Sequence, residues 1–147
     1  MTQTSVTEEE VGTALAALRA MISIGDATLE RATGSLTLTQ FRALRVVVEH
    51  TPVTGTRVAA DLGMNPSSVT RACDRLVTLG LLSRARNPSN RRETLLAPTA
   101  KGRQLAEQVN RDRRRVLAGI LDRLDPDSRA AVVAAFALFT DAADGKD

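Results

Sequence analysis

The sequence predicts a mainly α fold with one small β element, in the α+β class. Three observations predict it. Apolar residues recur at three- and four-residue steps through most of the chain, the helical period. Helix start and stop signals punctuate those stripes at Thr7, Gly34, Thr37, Thr51-Pro52, Gly63, Asn65-Pro66 and Gly80. Two short extended runs, 81–86 and 93–97, flank Asn87-Pro88-Ser89-Asn90, a turn by composition.

The first helix spans 8–31, with Thr7 as N-cap and Glu8, Glu9 and Glu10 in its first turn, where acids oppose the positive end of the helix dipole. Val11, Ala14, Leu15, Leu18, Ile22 and Leu29 form its apolar side, and Gly34-Ser35 breaks it. A second helix covers 37–50: Thr37 and Gln40 have capping-box spacing, Phe41, Leu44, Val47 and Val48 follow, and Thr51-Pro52 ends it. A short helix over 56–62 closes at Gly63, which suits a left-handed position. Asn65-Pro66 supplies a cap and a first-turn proline for a fourth helix over 66–79. Beyond the extended runs, Thr99 caps a long helix through Lys101, Leu105, Val109, Val116, Leu117, Ile120 and Leu124. Its middle, 110–115, is wholly polar, which predicts an exposed stretch between two buried ends. Asp125-Pro126-Asp127 starts the last helix, with Val132, Val133, Phe136 and Phe139 on its apolar side.

Composition narrows the function classes. At 147 residues and 43% hydrophobic content the chain can bury a core. No apolar run reaches the roughly 18–20 residues of a membrane span. The polar, acidic first ten residues lack the basic-then-apolar pattern of a signal peptide. A single cysteine, Cys73, excludes an intramolecular disulfide and a multi-cysteine zinc site, and a single histidine, His50, excludes histidine-clustered metal sites. The expected address is a reducing cytoplasm, with no membrane partner, metal or cofactor. Net charge is +3, but residues 51–103 carry nine cations against three acids, whereas 1–50 sum to −2 and 104–147 to −1. The middle third is thus a basic block. Eighteen of the twenty cations are Arg, whose planar fork suits phosphates and guanine edges.

That block holds the motif that carries function. Val58, Ala59, Leu62, Gly63, Met64, Val69, Cys73 and Leu76 are small or apolar where a helix-turn-helix must bury its residues, and Gly63 supplies the positive φ of the turn. Ser67, Ser68, Thr70, Arg71, Asp74 and Arg75 fall on the outer side of the second helix. Short hydroxyls let its N-terminus approach a groove while the arginines reach base edges or phosphates. A helix-turn-helix followed by a two-stranded ribbon with arginines at its tip is a winged helix, whose wing reaches flanking backbone or the narrow minor groove.

The chain resembles the MarR (multiple antibiotic resistance regulator) family of bacterial transcription factors. The resemblance rests on Leu36-Thr37-Leu38-Thr39-Gln40-Phe41-Arg42-Ala43-Leu44, on Ser67-Ser68-Val69-Thr70-Arg71-Ala72-Cys73-Asp74-Arg75-Leu76 with Gly80-Leu81-Leu82, on Arg84 through Arg92, and on Thr99-Ala100-Lys101-Gly102. Two positions depart from the family pattern. Asn90 stands where the wing usually has Asp, so it can hold the turn but cannot neutralise an Arg; Pro98 stands where Leu commonly precedes the capping Thr. The resemblance implies one domain over 1–147, with a winged helix-turn-helix lobe at 37–97 and a helical dimerisation region at 8–33 and 99–143. Apolar stripes outside the lobe independently favour a homodimer. The implied function is a dimeric repressor of a pseudo-palindromic site on double-stranded DNA, either released by a small-molecule effector or independent of any ligand. Expected DNA contacts are Pro66, Ser67, Ser68, Thr70, Arg71 and Arg75 on the recognition helix, and Arg84, Arg86, Asn90, Arg91 and Arg92 on the wing. Thr39, Gln40, Thr56 and Arg57 are expected at the DNA backbone. With no Trp or Tyr and three Phe, an aromatic-lined effector pocket has little support.

The alternative is a winged-helix protein-interaction module without DNA binding, whose mark would be an acidic or apolar outer face on 66–79; Arg71 and Arg75 oppose it. Cys73 reads as a small core hydrophobe, and His50 as an exposed helix end. The cluster Asp122, Asp125 and Asp127 reads as a helix start, and Arg113-Arg114-Arg115 as a solvated face. No serine-plus-base pair or glycine-rich phosphate loop occurs, so no enzyme is expected.

Overall fold

The computed structural model describes residues 4–145, and its backbone follows the capping signals. Helix α1 (Glu8–Thr33) opens on a capping box: the Glu10 N–H donates to the Thr7 hydroxyl at 3.2 Å and the Thr7 N–H to Glu10 Oε2 at 2.7 Å. It runs two residues past the expected end and stops at Gly34. Helix α2 (Leu38–His50) repeats the device with Thr37 and Gln40. A two-residue strand β1 (Val53–Thr54) follows, then α3 (Gly55–Leu62) and α4 (Pro66–Thr78). Strands β2 (Leu82–Asn87) and β3 (Asn90–Pro98) form the ribbon, and α5 (Ala100–Asp122) and α6 (Pro126–Ala143) complete the chain.

The sheet is antiparallel with order β1-β3-β2, so the expected hairpin is the larger part of a three-stranded sheet. Sequence reading missed β1. Two residues are too few to display an alternating pattern, and their partners Leu95 and Leu96 lie 41 and 43 residues further along the sequence. The ribbon is also longer than expected: β3 begins at Asn90 rather than near 93, leaving Pro88 and Ser89 as the turn.

The core lies where α2, α3, α4, the sheet and the first half of α5 meet. Leu44, Val47, Val58, Val69, Leu76 and Val109 are its largest fully buried apolar side chains. Removing each from water stabilises the fold by roughly 1.5–3 kcal/mol before entropy is counted. The chain forms two compact units, one up to Arg111 and one from Asp112 on. In the second, α6 is capped by Asp125, which accepts from the Ser128 N–H at 3.0 Å, and Arg129 Nε donates to the Leu121 carbonyl at 3.0 Å.

The long helix α5 has one buried end, not the two that its pattern predicts: Val109 is enclosed while Leu117 is exposed. Nor does α6 bury any residue; Leu138 and Phe139 are 73% and 68% exposed. Apolar periodicity says that a face is to be covered, not that the same chain covers it. Among the described residues no helix is long and apolar enough to cross a membrane.

Candidate nucleic-acid interface

The helix-turn-helix of α3 and α4 is built by three local devices. Thr54 caps α3 by accepting from the Arg57 N–H at 3.2 Å. Gly63 closes it at φ 60°, a conformation that costs a residue with a Cβ about 1–2 kcal/mol. Asn65 Oδ1 then accepts from the Ser67 N–H at 2.8 Å and the Ser67 hydroxyl at 2.7 Å, starting α4 on Pro66. Val69, Ala72, Cys73 and Leu76 recur at three- and four-residue steps on the buried side of α4. That periodicity puts Ser67, Thr70, Arg71, Asp74 and Arg75 outside, and all five are exposed; Ser68 is half-buried. The Thr70 hydroxyl donates back to the Pro66 carbonyl at 2.9 Å, which leaves its oxygen able to accept. Burial, and then the neighbouring Asp74 carboxylate, push the Cys73 thiol up to about 11 against the opposing pull of Arg84, consistent with a packing role.

The wing has an irregular tip. Arg86 lies opposite Thr94, but the next residue, Asn87, lies opposite Asn90. Arg91, Arg92 and Glu93 therefore have no partners on β2 and form a bulge, which lifts the two arginines out of the ladder. Asparagine side chains hold it. Asn90 Oδ1 accepts from the Arg92 N–H at 3.1 Å, so the residue departing from the family pattern holds the start of the bulge. Asn87 Oδ1 accepts from the Ser89 N–H at 3.0 Å, and Asn87 Nδ2 donates to Glu93 Oε2 at 3.1 Å. Asn87 and Glu93 thus set the shape of the tip, a role that sequence reading did not assign. Their juxtaposition depends on the register shift, which only pairing reveals. Arg91 and Arg92 flank the turn on β3, as expected.

The remaining expected contacts are placed unevenly. Arg71, Arg75, Arg86, Arg91 and Arg92 are exposed, and none forms an ion pair among the described residues. Arg84 is bound to Asp74, with Nη2 2.7 Å from Oδ1. Arg57 is held by Asp61 at 2.9 Å, with His50 3.9 Å from the same carboxylate. Thr56 is exposed, whereas Thr39 and Gln40 are half-buried, and the Gln40 side chain accepts from the Thr37 N–H at 3.1 Å. Among the described residues no group of three or more His, Cys, Asp or Glu could hold a metal ion.

A helix-turn-helix whose second helix is lined with hydroxyls and arginines, joined to a basic β-ribbon, defines a winged-helix transcriptional regulator. The family model described as MarR family matches residues 35–93. RV1404 from Mycobacterium tuberculosis is 32% identical and superposes with a TM-score of 0.86 over 97% of each chain. YwhA of Bacillus subtilis (strain 168), an uncharacterized HTH-type transcriptional regulator, is 28% identical over 94 residues, 64% of this chain and 68% of its own. Streptococcus pneumoniae FabT, crystallised in complex with DNA, shares the fold at a TM-score of 0.78 and 17% identity, over 96% of this chain and 100% of its own. The chain belongs to the MarR family of transcriptional regulators.

Proposed function

We propose that this chain is a dimeric repressor that binds a pseudo-palindromic duplex. Two copies pair through 8–33 and 99–143. Each lays α4 in a major groove, and the wings reach the flanking backbone or minor groove. The observation that carries this reading is the set of five exposed arginines on α4 and the ribbon that form no ion pair among the described residues. Cations held in water with no acidic partner are poised to replace the counterions of a phosphate backbone. Pro66, Ser67, Ser68 and Thr70 accompany Arg71 and Arg75 at the α4 contact, and Asn90 shapes the wing that presents Arg86, Arg91 and Arg92. Thr39, Gln40, Thr56 and Arg57 are secondary backbone contacts. Repression works by occupying promoter DNA. Release by a small ligand that alters the spacing of the two recognition helices rests on the family resemblance.

A gel shift with the duplex lying upstream of the protein's own gene tests the reading. Retarded DNA is expected, with a scrambled duplex of equal length bound far more weakly. Equal binding of both duplexes, or of neither, overturns it.

A further inference from the structure

Rung by rung, the ribbon changes character just past Arg84 and Ala85. Leu95 and Leu96 of β3 pair on one side with Thr54 and Val53 and on the other with Ala85 and Arg84. Beyond Ala85 there is no third strand, and β2 is exposed from Ser83 to Arg86. Arg84 therefore stands at the root of a free two-stranded flap. From there its guanidinium reaches Asp74, on the outer face of α4, at 2.7 Å. Of the seven ion pairs among the described residues, this one joins the ribbon to the recognition helix; four others are single-helix pairs at i,i+3 or i,i+4. Both side chains are about half exposed, so the pair adds little to folding stability. Asp74 is also the one carboxylate in α4, on the helix that carries Arg71 and Arg75. An acid there opposes binding to phosphates unless it serves another end.

We propose that Asp74 and Arg84 are positioning residues that lock the root of the wing to the recognition helix, so that groove and flank are engaged as one rigid surface. Arg84 then acts through Asp74 and not by touching a phosphate. This inference rests on the DNA-binding reading above.

The test uses full-length protein and a fluorescein-labelled duplex that the wild type selects from a randomised pool. Failure of the wild type to select any duplex defeats the DNA-binding reading, and this inference with it; the outcomes below judge the inference alone. Simple electrostatics has Asp74→Asn tighten binding by removing an acid. Positioning has it weaken binding to the selected duplex by about three- to tenfold, because a loosened wing loses preorganisation. Arg84→Gln should weaken binding by a similar factor with an unchanged salt slope, and the double variant should be no weaker than either single one. The exchanged pair Asp74→Arg with Arg84→Asp should recover most of the loss. Thermal unfolding checks that each variant is folded; should Asp74→Asn fail to fold, the exchanged pair decides. Tighter or unchanged binding by Asp74→Asn, a salt slope shallower by about one unit per contact for Arg84→Gln, or no recovery in the exchanged pair overturns the proposal.

Discussion

Gly102, in the first turn of α5, stands directly against the backbone carbonyl of Leu81, so a Cβ at that position would overlap the Leu81 oxygen and press on Leu44 Cδ1 at 3.3 Å. The contact belongs to a tight junction at the end of the recognition helix. Leu81 N–H donates to the Leu76 carbonyl at 2.9 Å, Thr99 N–H to the Leu81 carbonyl at 3.1 Å, and the Thr99 hydroxyl to the Gly80 carbonyl at 2.6 Å. Lys101 Nζ adds a bond to the Leu79 carbonyl at 3.1 Å. The carbonyls left open at the end of α4, those of Arg75, Leu76 and Val77, are taken by the N–H groups of Leu79, Leu81 and Gly80, and the start of α5 in turn takes the carbonyls of Leu79, Gly80 and Leu81.

Gly102→Ala should destabilise the protein by about 1–3 kcal/mol, because the obstacle is backbone and cannot swing aside. Urea unfolding at constant slope measures it. Unchanged stability would mean that the α5 junction yields more readily than its hydrogen bonds imply.

Cys73 should be inert while the protein is folded. With its thiol at about 11, only about one molecule in a thousand carries the thiolate at pH 8. Alkylation by iodoacetamide should be slow in buffer and fast in urea. The folded state holds this proton more tightly than the unfolded chain does. Its stabilising effect is therefore complete below about 9, the ordinary value, and is lost as pH rises through about 11. Equal labelling rates in buffer and urea would contradict the burial.

Within the wing, Arg91→Ala should weaken binding to the selected duplex by about 1–3 kcal/mol while the fold survives, since the bonds of Asn87 and Asn90 are untouched. Asn90→Asp keeps an acceptor for the Arg92 N–H but adds a negative charge beside the cations. Titrations at fixed salt should show weaker binding if the wing potential dominates and tighter binding if turn rigidity does. No effect from either change would place the ribbon off the DNA.

Arg71 and Arg75 should separate base reading from phosphate anchoring. Arg71 lies in the earlier turns of α4, the part that enters a major groove, and Arg75 one turn on. Arg71→Ala should cost specific binding about 1–3 kcal/mol and relax the preference at one base pair per half-site. Arg75→Ala should weaken selected and scrambled duplexes alike and flatten the salt dependence. The opposite pattern in paired salt titrations would exchange the two roles.

Leu18→Asp in α1 or Phe139→Asp in α6 should shift sedimentation from dimer to monomer. Both side chains are more than half exposed in the single chain, and a desolvated carboxylate would oppose their burial between copies. A wild type that sediments as a monomer would refute the dimer outright.

Most of the local structure is written in short-range signals. Thr7 with Glu10, Thr37 with Gln40, Gly63, and Asn65 before Pro66 are short-range signals, each satisfied by atoms within a few residues, so helix starts and the helix-turn-helix were legible without knowledge of the rest. The outer face of α4 followed from the spacing of Val69, Ala72, Cys73 and Leu76. Tertiary structure decided what depends on contacts distant in sequence: the pairing of β1 with Leu95 and Leu96, the bulge that lifts out Arg91 and Arg92, and the capture of Arg84 by Asp74. A one-dimensional pattern records which residues are cationic or apolar. Which cation meets an acid, and which apolar face is left for another chain, is set by register and packing, and those exist only once the strands and helices have met.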